Sequence, residues 1–525
     1  MLNVIEVEVF NKLFSSIAEE MGIILARSSF SANIKERRDF SCAIFDTKGE
    51  LVAQAAHIPV HLGAMPMTLA CVLLEMELHR GDVIITNDPY KGGSHLPDIT
   101  LIEPVFSPDP AVPGKPLFYV VNRAHHADVG GKNPGSMGLA ASLADEGFLI
   151  SPTRLYDKGI YNKKFIESFL NSVRNPAERL GDLRAQTASL TRGKTRLHDL
   201  LKKHSSGYLF AVVDQLKNYA EKLMQSAINA LPDGTYFYTD CLDDDGINNA
   251  TVPISVDLTV HGSTVTADFS RSADQVETSL NAVISVTMSA TSYVFQCLVG
   301  DGYPINHGSY RPIKLVTRPG TIVDAAKPAP VAAGNVETSQ RIVDVLLGAL
   351  SKAAPDIIPA ASCGSMNNIA IGGRHARTGR EYAYYETIGG GMGGRPTMQG
   401  LSGIHTHMTN TMNTPIEALE HAYPLQVEQY GLMRGSGGSG SHEGGDGIIR
   451  SYRFLDNAHV SILTERRKLA PYGLAGGKPG RKGKNILVRR KIKKNLGGKS
   501  GFETEPGDLL QIKTPGGGGW GGPSS

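Results

Sequence analysis

The stretch "LFYVVNRAHHADVGG", residues 117–131, decides how this chain is read. Its first half, "LFYVVN", is rich in β-forming residues and predicts a strand. Arg123, His125, His126 and Asp128 follow at once, and Gly130-Gly131 close the segment. Side chains that ligate metals or carry protons are thus concentrated at an expected strand end, where glycines let the backbone turn. Neighbouring side chains on a strand point to opposite faces. If the strand runs on through the pair, His125 and His126 cannot both serve one site.

Upstream, "DVIITN" (82–87) and "DITLIEPVF" (98–106) read as two further strands, with the polar turn "DPYKGGSHLP" between them. "AIFD" (43–46) and "ELVAQ" (50–54), joined by "TKG", predict a hairpin. Phe10, Leu13, Phe14, Ile17, Met21 and Ile24 recur at helical spacing over 9–25, and a second apolar helix falls near 63–78. From 163 to 231 the pattern is helical. Asn175-Pro176 marks a helix start with proline at the first position. Leu209, Val212, Val213, Leu216, Ala220, Leu223 and Ile228 carry the stripe on to "PDG" at 232–234. Alternation through "TVPISVDLTV" and "TVTADFS" predicts β structure from 235 to about 270. "ETSQRIVDVLLGALSK" (337–352) predicts a helix with Thr338 or Ser339 at its start.

The expected fold class is mixed α/β (α+β) and multidomain, because 525 residues exceed what one core holds. The expected division is an α/β part over 1–231 carrying the site, a β-rich middle over 232–330 and a glycine-rich α/β part over 331–525. A net charge of +2 exerts no general pull on nucleic acid. Five scattered cysteines without a C-x-x-C pair suggest neither a disulfide framework nor a zinc finger. The first residues, "MLNVIEVEVFNKLF", do not read as a signal peptide, and no apolar run approaches a membrane span. A cytoplasmic protein is expected.

Glycine is the one skew, 59 residues clustered at 388–404, 435–447 and 515–522. Arg395, His405, His407, Glu443 and Asp446 interleave the first two clusters, so tight turns around a site are expected rather than linkers. The basic run "KPGRKGKNILVRRKIKKN" (478–495) has no aromatics and reads as a solvated or partner-facing surface. No Walker A sequence occurs, and "GGGMGG" (389–394) lacks the strand–helix spacing of a dinucleotide site.

Hard ligands accumulate before residue 130: Glu36 and Asp39 in "KERRDFS", Asp88 in "TNDPY", His95 and Asp98 in "SHLPD", and His125, His126 and Asp128 in "AHHAD". Imidazole with carboxylate suits Zn, Mn, Fe or Ni, and the absence of thiolate argues against a closed structural zinc site. Two histidines and two carboxylates leave room for water or substrate, as a catalytic metal requires.

The chain resembles the hydantoinase B/5-oxoprolinase family, to which subunits of acetone and acetophenone carboxylases are related. "SANIKERRDFSCAIFD" (31–46), "HIPVHLGAMP" (57–66), "NDPYKGGSHLPDI" (87–99), "RAHHADVGG" (123–131), "GNVETSQRIVD" (334–344), "GIHTHMTNTMNTPIEALE" (403–420) and "GSGGSGSHEGGDG" (435–447) carry the resemblance. It implies a hetero-oligomer with a hydantoinase A-type ATPase subunit, which uses ATP-Mg to phosphorylate a lactam, hydantoin or enolate oxygen. This chain then receives the activated species at a divalent metal, Zn or Mn, for ring opening or carboxylation. It further implies metal ligands from Asp39 or Glu36, His95, Asp98 and one histidine of the pair, His125 being favoured. His126 or Asp128 is left for proton transfer. Arg395, His405, His407, Asn410 and Asn413 are the candidates for binding substrate or phosphate. Alternatives are a ketone carboxylase subunit and a non-catalytic scaffold with a structural metal.

Overall fold

The computed structural model describes residues 4–55, 57–109, 114–300 and 302–522. Its fold is mixed α/β with four sheets, the first two following one another along the chain and the last two interleaved in sequence. The first contains β1 (Phe40–Asp46), β2 (Leu51–Gln54), β3 (Val83–Thr86), β4 (Asp98–Val105), β5 (Phe118–His125), β6 (Thr153–Asp157) and β7 (Ile160–Tyr161), ordered β2-β1-β5-β4-β3-β6-β7. All its pairings are antiparallel. The expected hairpin and three strands are present, but β5 runs three residues beyond Asn122, through His125.

That extension sets the geometry of the site. Asp98, the first residue of β4, lies directly opposite His125, the last of β5. The strands β1 to β5 are buried on both faces. One face takes the helices Val4–Ser28 and Pro176–Lys203, packing Phe14, Ile17, Met21 and Leu190 against Ile44, Phe118 and Val120. Each fully buried side chain of this kind contributes roughly 1.5–3 kcal/mol. The other face takes the helix Ala64–Glu75, whose Met65, Leu69 and Val72 meet Phe45, Tyr119 and Val121.

Helix phases differ slightly from the expected stripes: Leu25 rather than Ile24, and Met224 rather than Leu223, are the fully buried members. Pro176 opens its helix after Asn175, which is left-handed (φ 52°). The second sheet, β8 (Gly234–Leu242), β9 (Val252–His261), β10 (Thr264–Asp268) and β11 (Ile313–Val316), is antiparallel apart from the β10–β11 pair. The helix Ser339–Ala353 packs on it. The helix begins at Ser339 with Thr338 at its N-cap position, as expected, but neither hydroxyl makes a capping hydrogen bond. A π-turn, Gly334–Thr338, leads straight into it, and the two hydroxyls donate instead to the carbonyls of Leu280 and Asn335.

The C-terminal part holds two facing sheets. One is β12 (Asn368–Arg374), β13 (Glu381–Glu386), β16 (Ala458–Leu463) and β19 (Lys499–Thr504). The other is β14 (Leu425–Met433), β15 (Gly447–Phe454), β17 (Lys484–Arg489), β18 (Ile492–Asn495) and β20 (Leu509–Lys513). Ile371, Tyr384 and Ile462 from the first share an apolar cluster with Tyr452, Leu510 and Ile512 from the second.

The glycine clusters do not form turns around the site. They lie backbone against backbone: Gly391 N donates to Pro515 O at 3.0 Å, Gly517 N to Gly445 O at 2.9 Å and Gly394 N to Gly518 O at 2.8 Å. A Cβ on Gly391 would sit 1.9 Å from Gly445 O, and one on Gly517 2.0 Å from Met392 O. Those distances exclude every side chain, so close approach, not φ, accounts for glycine there. The basic run becomes β17 and β18, with Arg490, Lys491, Lys493 and Lys494 exposed. Among the described residues no helix is long and apolar enough to cross a membrane.

Candidate metal centre

The geometry begins with the cross-strand pair. His125 Nδ1 lies 3.4 Å from Asp98 Oδ1. His95, in the turn before β4, brings its Nε2 to 3.5 Å from the same oxygen and 3.1 Å from His125 Nδ1. Three electron-pair donors thus form a triangle with edges of 3.1–3.5 Å. Ligands about 2.0–2.2 Å from one ion lie roughly 3–3.5 Å from each other. Asp98 Oδ1 has no hydrogen-bond partner among the described residues, although it is buried. Burial pushes the His95 imidazole down to about 3, so it stands neutral with a lone pair to offer. The donor set fits a divalent ion.

Asp98 Oδ2 is held separately, by Ser94 Oγ at 2.5 Å and His61 Nε2 at 3.2 Å. A carboxylate only accepts, so His61 carries its proton on Nε2, and its Nδ1 accepts from Ser41 Oγ at 2.8 Å. Ser94 also meets the buried Arg123, whose other donors reach Thr100 and Thr68, both at 2.8 Å. Burial opposes ionisation of Asp98, but the neighbouring imidazoles His95 and His61 and the hydrogen bond from His61 favour the carboxylate and outweigh it. Its pKa lies well below the usual range. His125 stacks on Tyr385, with centroids 4.7 Å apart and planes 12° apart, which sets the ring's orientation.

A small cavity opens on this cluster. Asp39, His61, Asp98, His125 and Asn335 line it on one side, and Tyr385, Thr387, Thr409 and Thr411 are among its other walls. Arg37, fully buried, lies 3.6 Å from Asp39 Oδ2 and donates to Thr387 Oγ1 at 2.9 Å. Glu36 is half-buried and does not line the cavity, so the "ERRD" segment presents Asp39.

The other candidates lie elsewhere. His126, the first residue past β5, turns away from the cluster and has its Nε2 2.9 Å from Gln186 Oε1 on the helix Pro176–Lys203. Burial pushes its pKa down to about 4. Asp128 accepts from Gly130 N, Gly135 N and Arg174, which leaves it a turn anchor. Gly130 and Gly131 make that turn at φ 88° and 83°. The expected proton-transfer pair therefore does not reach the cavity. Asp88 accepts from Tyr90 N as the cap of a short helical turn.

His405 (Nδ1 3.5 Å from Thr409 Oγ1) and His407 (Nδ1 3.5 Å from Tyr293 Oη) flank the wall built by Met408, Thr409 and Thr411 without lining it. Asn410 donates to His57 O and Asn413 to Thr387 O. Arg395 donates to Gln399 O within the glycine-packed segment. His61 and Asn335 also line the cavity and were not among the expected residues. Both sit inside quoted motifs, "HIPVHLGAMP" and "GNVETSQRIVD", and histidine beside buried ligands was the available signal for the first.

A family model described as hydantoinase B/oxoprolinase matches residues 3–523. The chain belongs to the hydantoinase B/oxoprolinase family. It is 38% identical to 5-oxoprolinase 1 of Arabidopsis thaliana over 99% of its length, but spans only 42% of that protein. It is 32% identical to a putative D-/L-hydantoinase B-type subunit of a Pseudomonas species, with 99% of this chain and 90% of that one covered. The structure superposes on the ATP-dependent caprolactamase from Pseudomonas jessenii with a TM-score of 0.91 at 27% identity, covering 100% of this chain and 92% of the other. Acetone carboxylase shares the fold, at a TM-score of 0.89 and 16% identity over 99% of this chain and 76% of its own.

Proposed function

We propose that this chain is the metal-holding subunit of an ATP-dependent cyclic amide hydrolase, acting on a hydantoin, 5-oxoproline or a related lactam. The observation that carries this reading is the triangle of His95 Nε2, His125 Nδ1 and Asp98 Oδ1 at the edge of a small buried cavity. Relatives and the structural neighbour whose names specify a 5-oxoprolinase, a hydantoinase and a caprolactamase support it. A hydantoinase A-type ATPase subunit activates the amide by phosphorylating its oxygen with ATP-Mg, and ring opening follows here.

A ring amide resists attack because nitrogen donates into the carbonyl, and phosphorylation removes that protection. A divalent ion, Zn or Mn, bound by the three donors with Asp39 beside them, supplies Lewis acidity and a water of lowered pKa. The protein's own part is to hold these groups still. Ser94 and His61 fix Asp98 by its second oxygen, Tyr385 fixes His125, and Arg37 faces Asp39. His61 stands where the sequence placed His126 or Asp128, a proton-carrying ring at the cavity wall backed by Ser41.

The test is turnover of 5-oxoproline, hydantoin and caprolactam by the chain alone, with the ATPase partner, and with partner plus ATP, alongside elemental analysis. Ring opening in the last case only, with one Zn or Mn per chain, is expected. Turnover without ATP, or a protein that holds no transition metal and gains nothing from added metal, overturns the reading.

A further inference from the structure

The π-turn Gly334–Thr338 interrupts regular helix beside the cavity, and such turns push side chains out of the helical ladder. Here the displaced residues are Asn335 and Val336, and both line the cavity. Packing holds the turn in place. A Cβ on Gly334 would fall 1.9 Å from Asn281 O. On the far side Glu337 Oε1 accepts from Met366 N at 3.0 Å and from Asn368 Nδ2 at 2.6 Å. Ser339 Oγ ties down the Asn335 carbonyl at 2.7 Å. Asn335 itself is 3% exposed, and its Oδ1 has no hydrogen-bond partner among the described residues. A buried amide oxygen left unmatched costs stability, so a fold that holds one rigidly at a cavity wall has reserved it for a donor.

We propose that Asn335 is the residue that selects the substrate's ring nitrogen: its Oδ1 accepts the ring N–H of a cyclic amide bound beside His125 and Asp98. This rests on the cyclic-amide reading above and adds a specificity residue to it. A ring holds N–H and C=O on one side, the same donor and acceptor spacing that an asparagine amide presents. The N–H remains a donor whether the oxygen is free or phosphorylated with the nitrogen protonated. N-methylation deletes it.

The experiment compares caprolactam and 5-oxoproline with their N-methyl analogues, using the chain with its ATPase partner and ATP. N335L and N335A remove the acceptor, and N335D keeps it. For the substrate turned over, the wild type should prefer the N–H form, and both acceptor-less variants should lose roughly 10- to 100-fold in kcat/KM on it. On the N-methyl form they should lose little, so the preference collapses, while N335D retains it and metal content stays unchanged throughout. Equal losses on both forms, or an unaltered preference in N335A, overturns the role of Asn335 alone. A wild-type complex that opens neither ring overturns the cyclic-amide reading, and this inference with it.

Discussion

Two buried polar clusters in this molecule look alike in burial and differ in how their charges are met. In the first, Arg341 reaches Asp240 at 2.9 Å, Asp344 at 3.2 Å and Glu465 at 3.4 Å. Arg466 reaches Asp240 and Asp344, each at 2.5 Å, and Lys499 pairs with Glu465 and Asp244. Carboxylate and cation alternate there, and the network ties the helix Ser339–Ala353 to β8, β19 and the segment after β16. At His95, Asp98 and His125, three electron-pair donors face one another, and among the described residues no Lys or Arg is ion-paired to Asp98. The lesson is that burial does not separate glue from function. What separates them is whether opposite charges answer one another within the protein.

If that contrast holds, the two clusters should fail in different ways. The largest effect is expected for Asp98→Ala, which should abolish metal binding and reduce ring opening to background while circular dichroism stays native. A folded, metal-loaded and active variant breaks the comparison at its functional end. Arg341→Met should do the reverse. Leaving Asp240, Asp344 and Glu465 short of a partner should cost about 3–5 kcal/mol in denaturant unfolding, with metal content unchanged in the folded fraction.

A smaller effect is expected for His61→Ala, which meets the His95–Asp98–His125 cluster through Asp98 Oδ2. Metal affinity measured by competition with a chelator should fall roughly 10- to 100-fold, and the fold should persist. The smallest concerns a carboxylate outside both clusters. Glu146 is buried where it accepts from Val331 N and Ala332 N, and burial pushes its pKa up to about 8. Its folded-state pKa is thus raised above the unfolded value of about 4.3. Its contribution is full below that value and is lost as pH rises towards about 8. Urea midpoints should therefore fall more between pH 5 and 8.5 for the wild type than for Glu146→Gln.

Local pattern made much of the architecture legible. The amphipathic stripe beginning at Phe10, the Asn175-Pro176 helix start and the β1–β2 hairpin depend on contacts a few residues apart, which periodicity and turn chemistry record. "HLPD" and "AHHAD" declared the metal-like chemistry. Register was not legible. Only the pairing of Asp98 with His125 shows why that histidine faces the cavity while His126 faces Gln186. His61 was hidden because it meets Asp98 across 37 residues of chain, and Asn335 because a π-turn breaks the helical phase that would have placed it. The glycine clusters misled for a related reason. Glycine signals both turns and close backbone approach, and the choice between them is made by segments such as 389–394, 437–445 and 516–519 meeting in space.

The proposed division of labour puts amide activation on a partner and ring opening at His125 and its neighbours. The most direct test is the ratio of ring-opened product to phosphate released by the complex, measured for His125→Ala and His126→Asn side by side. His125→Ala should continue to release phosphate while product disappears, driving the ratio towards zero. His126→Asn, altered one residue further on at a ring that faces Gln186, should keep the wild-type ratio. A wild-type ratio in His125→Ala, or a collapse in His126→Asn alone, would contradict the account.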